Sequence, residues 1–244
     1  ELSYKKSDII FPLKYKGYRM LKAKSLYHLI VYSILFIILL ISFFTFIIIN
    51  NAHEELQDKI ETLKTDYTNS QKELIKNDVN SVINFITYYD NKYKKIKSTE
   101  QIKKEVLEAL TQIRPFDNVN EYLFIYDFNG INLYQPISKD KIGEKYFDLT
   151  DSAGRKVIKE LIDISKQGNG GYVEYFWYKL DIFKNTKKLS YSNSYKNWNW
   201  AIGKGVYLDK IDKLVEEKEE EYNQKISNYT LQITSLTIML VLYS

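Results

Sequence analysis

The chain has 244 residues, 45% of them hydrophobic and 27% charged, with a formal net charge of +4; that is enough for one domain with its own core and anchoring segments. It holds no cysteine and two histidines, His28 and His53, which excludes a disulfide framework, thiol chemistry and a histidine-rich metal centre. The basic residues are spread out rather than gathered into a nucleic-acid-binding patch, and the unusual feature is 22 tyrosines, a residue equally at home in sheets, pockets and membrane interfaces.

Residues 27–50 read as a first transmembrane helix. The charge-free run Leu29–Ile49 has 21 residues; as a helix it is about 32 Å long, enough to cross a hydrocarbon core. Residues 1–26 carry Lys5, Lys6, Lys14, Lys16, Arg19, Lys22 and Lys24 against Glu1 and Asp8, and Glu54, Glu55 and Asp58 follow the run. This bias places a basic lead, 1–26, in the cytoplasm and residue 51 onward outside. The run is too long for a signal-peptide core and no small-x-small cleavage site follows it, so an uncleaved anchor is expected.

A long membrane-proximal helix is expected over 51–97. Its stripe of Leu56, Ile60, Leu63, Tyr67, Leu74 and Phe85 suits pairing with a second subunit, as a homodimer, and packing on its own domain equally well. Ser98 with Gln101 predicts a capping box opening a helix over 99–113, buried through Ile102, Val106, Leu110 and Ile113 and stopped by Pro115. Strands begin at Tyr122: YLFIYD, a reversal at Asn129-Gly130, then INLYQP, ended by Pro136. A helix over 151–166 follows, closed by the glycine-rich stretch 167–171. Strands over 172–178, 188–195 and 200–206 complete an α+β fold, with an antiparallel sheet of about five strands and helices on one face. From Asp209 the chain returns to helix, juxtamembrane over 213–229. The apolar residues 230–244 read as the first half of a second transmembrane helix, cut short at Ser244. Residues 51–229 are then extracytoplasmic in a multi-pass protein of a bacterial inner membrane.

No GxGxxG, Walker loop, HExxH, GxSxG or CxxC occurs, and this segment is expected to be no enzyme and to need no metal or cofactor. The distinctive stretches are aromatic strands seeded with a few cations. In YVEYFWYK, alternation puts Tyr175 and Trp177 on one face and Glu174, Phe176 and Tyr178 on the other; in KLSYS, Lys188, Ser190 and Ser192 alternate with Leu189 and Tyr191. An aromatic pocket with one buried cation suits a small carboxylate with an apolar end. The same aromatics also serve as plain core packing.

The motifs from 114 to 212 resemble the single Cache domain of bacterial receptors, in the form with one PAS-like sheet behind a long N-terminal helix. They are RPF at 114, YLFIYDFNGINLYQP at 122–136, IGEKYFDLTDSAGRKVIKELI at 142–162, GNGGYVEYFWYK at 168–179, KLSY at 188–191 and WNWAIGKGVYLDKID at 198–212. The resemblance implies a single sensor domain over 98–212, between two membrane helices. It implies binding of a small carboxylate such as acetate, propionate, lactate or pyruvate, and signalling to a chemoreceptor, histidine kinase or diguanylate cyclase output domain. It assigns Arg114, which can alternatively pair with Asp117, and Lys188 as candidate anchors of the carboxylate. Tyr191 supplies a hydroxyl or packing, and Tyr175 and Trp177 a lid or wall. Tyr134 and Gln135 stand where the family commonly has a residue followed by histidine; the neutral Gln135 can donate a hydrogen bond but cannot acquire a charge. Gly203 and Gly205 match glycines of the last strand, where a bulge or close approach is expected. The competing expectations are a sensor that docks a periplasmic protein, and a structural membrane protein.

Overall fold

The computed structural model describes residues 13–113 and 120–242. They fall into two compact units: residues up to Lys59 together with Glu219 onward, and Ile60–Lys218.

The first unit is helical. Helix α1, Leu13–Tyr93, is continuous, and no glycine or proline stands between Leu26 and Tyr93 to interrupt it. In its apolar run Leu29, Leu35, Phe36, Phe43 and Phe46 are all exposed, as expected of a helix solvated by lipid rather than packed in a core. Helix α4, Asp209–Leu242, ends in this unit. Its last turns are uncharged but carry Ser227, Asn228, Thr230, Gln232, Thr234, Ser235 and Thr237. Among the described residues one helix is long and apolar enough to cross a membrane, the stretch Leu26–Tyr93; two were expected, and those polar side chains dilute the second run.

The second unit is built on a five-stranded antiparallel sheet: β1 Leu123–Asp127, β2 Asn132–Tyr134, β3 Gly171–Lys179, β4 Lys184–Tyr195 and β5 Trp200–Tyr207, in the order β2-β1-β5-β4-β3. The β1–β2 reversal is held by Asp127, whose Oδ1 accepts from the N–H groups of Asn129 and Ile131 at 2.9 and 2.8 Å. Gly130 takes φ of +85°, a conformation that only glycine adopts freely.

Helices cover both faces of the sheet, not one as expected. The 60–93 part of α1 and helix α2, Thr99–Ile113, lie on the first face. There Tyr195 Oη donates to Asp90 at 2.6 Å, Tyr172 Oη donates to the Lys72 carbonyl at 3.0 Å, and Lys204 pairs with Asp78. Ile75, Val79, Ile86, Ile102 and Val106 are completely buried, each contributing about 1.5–3 kcal/mol by leaving water. The capping box of α2 is formed: Gln101 N–H donates to Ser98 Oγ at 3.3 Å, and Ser98 N–H donates to Gln101 Oε1 at 3.2 Å. The second face is covered by helix α3, Val157–Ser165. A core of Phe124, Tyr126, Val157, Ile158, Leu161, Ile162, Val173 and Tyr175 fills the space beneath it.

Helix α3 begins six residues later than the expected 151. Asp151 Oδ1 accepts from Ala153 and Arg155 N–H, both at 2.9 Å, and Gly154 has φ of +79°, so residues 151–155 close an aspartate-centred turn that cannot continue into helix. Strand β4 begins at Lys184, earlier than the expected 188, because it pairs with all of β3 from Lys179↔Lys184 to Gly171↔Ser192.

Candidate ligand pocket

A cavity of about 280 Å³ lies on the α3 side of the sheet, near the lower limit for a small-molecule site. Its inner wall is formed by Tyr122, Tyr126 and Tyr207 from the sheet, and Trp177 of β3 adds a side. The loop between β2 and α3 closes it with Gln135, Ile137, Ser138, Lys141, Tyr146 and the Thr150–Ser152 segment. The loop is fastened to β3. Asp151 Oδ2 accepts from Phe176 N–H at 3.2 Å, and Arg155 bridges Glu160 to the Glu174 carbonyl.

Alternation explains which tyrosines arrive here. Tyr122, Phe124 and Tyr126 project to one side of β1, and Ala201, Gly203, Gly205 and Tyr207 project to the same side of β5. A Cβ at Gly205 would collide with Ser190 Oγ and lie 2.7 Å from Lys188 Cε. Glycine there is what lets the lysine stem lie across the sheet, the close approach expected of this position.

Lys188 is 1% exposed. Its Nζ stands 4.1 Å from the centroid of Tyr122 and 4.7 Å from that of Tyr207, so two ring faces cradle the ammonium. Both rings line the cavity and Lys188 does not; the cation lies directly behind the aromatic wall. Among the described residues no carboxylate pairs with it. Burial pushes its ammonium down from 10.5 to about 7, against a smaller upward pull from Glu121. Burial also pushes the Tyr122 hydroxyl up to about 12, partly offset by a hydrogen bond with Trp177, and raises those of Tyr126, Tyr175 and Tyr207. These hydroxyls therefore stay protonated at neutral pH.

The other expected site residues divide. Trp177 and Gln135 line the cavity, and Gln135 Oε1 accepts from Asn132 Nδ2 at 2.8 Å. Tyr175 lies beneath, edge-on to Trp177 at 5.7 Å and 2.8 Å from Ser190 Oγ. Tyr134 points elsewhere and donates to the Leu110 carbonyl of α2 at 3.3 Å. Tyr191 also lies apart, its ring tilted against Tyr172 with centroids 5.0 Å apart and its hydroxyl donating to the Asn169 carbonyl at 2.5 Å. Arg114 and Asp117 lie outside the described residues. Sequence reasoning missed Tyr122, Tyr126, Tyr207 and Lys141 as lining residues; the alternation of YLFIYD would have found the first two once a pocket was assigned to that face.

A single sheet with helices on both faces, a small aromatic cavity and a buried cation define a ligand-sensing module. The Cache domain model matches residues 48–235, most of the chain, and the protein belongs to the Cache domain family of non-catalytic extracytoplasmic sensor modules. Among curated relatives, the sensor histidine kinase MctS of Rhizobium johnstonii is 34% identical over 156 residues, 64% of this chain and 32% of that protein. The methyl-accepting chemotaxis protein McpP of Pseudomonas putida is 27% identical over 114 residues, 47% of this chain and 21% of that protein. The chain thus spans a third or less of these relatives. Among solved structures, a methyl-accepting chemotaxis protein of Vibrio parahaemolyticus superposes with a TM-score of 0.54 at 28% identity, covering 63% of this chain and 99% of that one. A Cache chemosensory domain solved for its carboxylic acid recognition shares the fold, with a TM-score of 0.50 at 22% identity over 61% of this chain and 97% of that one.

Proposed function

We propose that this chain is the sensory portion of a transmembrane receptor that binds a small organic acid outside the membrane and passes a conformational signal inward. The observation that carries the reading is Lys188: a fully buried cation, without a carboxylate partner among the described residues, one ring thickness behind an aromatic cavity. Leaving a buried charge unpaired is costly, and an acid such as acetate, propionate, lactate or pyruvate supplies the missing partner. The Tyr122 hydroxyl, held protonated by burial, is suited to donate to the same carboxylate, while the Tyr207 hydroxyl donates to the Tyr178 carbonyl at 2.8 Å. Arg114 is a second candidate anchor, Gln135 and Trp177 line the site, and Tyr175 supports Trp177 from below. Tyr134 and Tyr191 act through packing.

A carboxylate in the cavity against Tyr207 bears on the end of β5, and β5 runs into α4 after one residue. Lys179 joins Asp209, the first residue of α4, at 2.6 Å. In this reading α4 carries the displacement into a second membrane span, across a homodimer, to a cytoplasmic kinase, cyclase or chemotaxis output domain. Ligand switches output only by preferring one state.

The test is a thermal melt of the full chain in nanodiscs against short mono- and dicarboxylates, amino acids, urea and amines. A saturable rise in midpoint with a short carboxylate, abolished in Lys188→Met while the ligand-free melt remains cooperative, is the expected result. No rise with any of them would refute metabolite sensing and leave a docked protein as the stimulus.

A further inference from the structure

We propose that a proton is an obligatory co-ligand of this pocket: the organic acid binds together with a proton taken up at Lys188, so the receptor reads anion and pH jointly. The proposal rests on the reading of Lys188 as the carboxylate anchor.

The geometry comes first. Lys188 lies on β4 between Tyr175 of β3 and Tyr207 of β5, its register partners, and beneath Tyr122. Among the described residues, the groups packed directly against it are neutral. Tyr175, Tyr122 and Tyr207 have hydroxyls that burial keeps protonated. Ser190 lies on the same side, and α3 contributes Val157, Ile158, Leu161 and Ile162 to the core on that face. Of the charges nearby, Glu121 pulls weakly on the ammonium. Glu121, in the segment before β1, pairs with Lys210 at 3.4 Å, and Asp181 and the α4 residue Asp209 pair with Lys179 at 3.5 and 2.6 Å. Neither His28 nor His53 is among the residues lining the cavity.

A lysine so enclosed holds its proton weakly when the site is empty, titrating at about 7. A carboxylate that reaches Nζ as the Tyr122 or Tyr207 ring turns aside reverses that balance, because an opposite charge at contact in a dry site favours the ammonium. Above neutrality the bound state therefore holds a proton that the empty state lacks. The proton comes from solvent onto Nζ, the carboxylate stays ionised, and the net reaction is neutral lysine plus proton plus carboxylate giving an ammonium–carboxylate pair. Linkage then requires affinity to fall as pH rises through the empty-site value, by about tenfold per pH unit once well above it. From pH 6 to pH 8.5 the loss is about thirtyfold.

The experiment is isothermal titration calorimetry of the full chain in nanodiscs with acetate, propionate, lactate and pyruvate. At pH 8 it is run in phosphate and in Tris, whose ionisation heats differ widely; affinity is measured from pH 6 to 8.5. Uptake of roughly nine-tenths of a proton per bound anion at pH 8, and little at pH 6, is expected. Lys188→Arg, which cannot release its proton, should bind without uptake if it folds; Lys188→Met should not bind, its thermal melt confirming that it folds. Binding that depends on Lys188 but has the same affinity at pH 6 and 8.5, with no buffer dependence, would overturn the proton proposal and leave the anchor intact. Binding undiminished in Lys188→Met, or none of the four acids binding wild type, would overturn the anchor and the proton together.

Discussion

Replacing Lys188 with methionine should stabilise the ligand-free protein, most strongly at and below pH 7. The two side chains have similar length, and the stem of Lys188 already lies in an apolar slot against Gly205 and the Tyr122 ring. What the substitution removes is a buried charge. The ammonium titrates at 10.5 when solvated and at about 7 when folded. Between those values the unfolded chain holds a proton that the folded chain lacks, so stability rises with pH across the window. Below about 7 both states are protonated and the penalty is at its full value. The gap, 10.5 minus 7, is 3.5 pH units, which corresponds to about 5 kcal/mol as an upper bound. Between pH 7 and 9 wild type should recover roughly 2–3 kcal/mol relative to the variant, or about 5–10 °C in midpoint for a domain of this size. The neighbouring tyrosines titrate above this range and do not interfere. Thermal melts of both proteins in nanodiscs without ligand, at half-unit steps from pH 6 to 9, measure the gap directly. A gap that is constant with pH, or a wild type more stable at pH 6 than at pH 9 relative to the variant, would refute the reasoning.

Three further outcomes are expected. Asp151→Ala should cost about 0.5–1.5 kcal/mol in urea denaturation by removing the hydrogen bonds that its carboxylate accepts from Ala153, Arg155 and Phe176 N–H. Burial pushes the Asp151 carboxyl up, but the backbone N–H groups of Arg155, Phe176 and Ala153 outweigh it and hold it below the usual range. Its contribution is thus present above the ordinary aspartate value and lost as pH falls through the lowered one, and the two proteins' melting points should converge in acid. Trp177→Phe should abolish a ligand-induced change in tryptophan fluorescence while Trp198 and Trp200, edge to face with centroids 4.8 Å apart elsewhere, keep emitting; a change of undiminished size would place the ligand away from Trp177. Ser98→Ala should remove about 1 kcal/mol through loss of the α2 cap, read as an earlier melt with ligand affinity unchanged.

Local chemistry was the part of the fold most legible in the sequence. The capping box at Ser98 and Gln101, the Asn129-Gly130 reversal and the strands ending at Tyr195 and beginning at Trp200 each depend on neighbouring residues, and each is present. The expected helix start at 151 failed because an aspartate that can cap a helix can equally close a turn, and Gly154 decided for the turn. The pocket was legible in kind and not in membership. Lys188, Tyr175 and Trp177 share a side of their strands, but Tyr191 has the opposite parity to Lys188 and turns toward Tyr172. Tyr207 becomes part of the site only because β5 pairs beside β4 in a register that sets it against Lys188, and register between distant strands is written in no local motif.

The slot at Gly205 also constrains how this receptor can change over generations. Any side chain at 205 meets both Ser190 Oγ and the Lys188 stem, so position 205 is free to vary only together with 188 and 190. A descendant that lost both the cation and the Ser190 hydroxyl could then acquire a β carbon at 205 and bind something other than an acid, and the return path would be closed until that carbon was removed again.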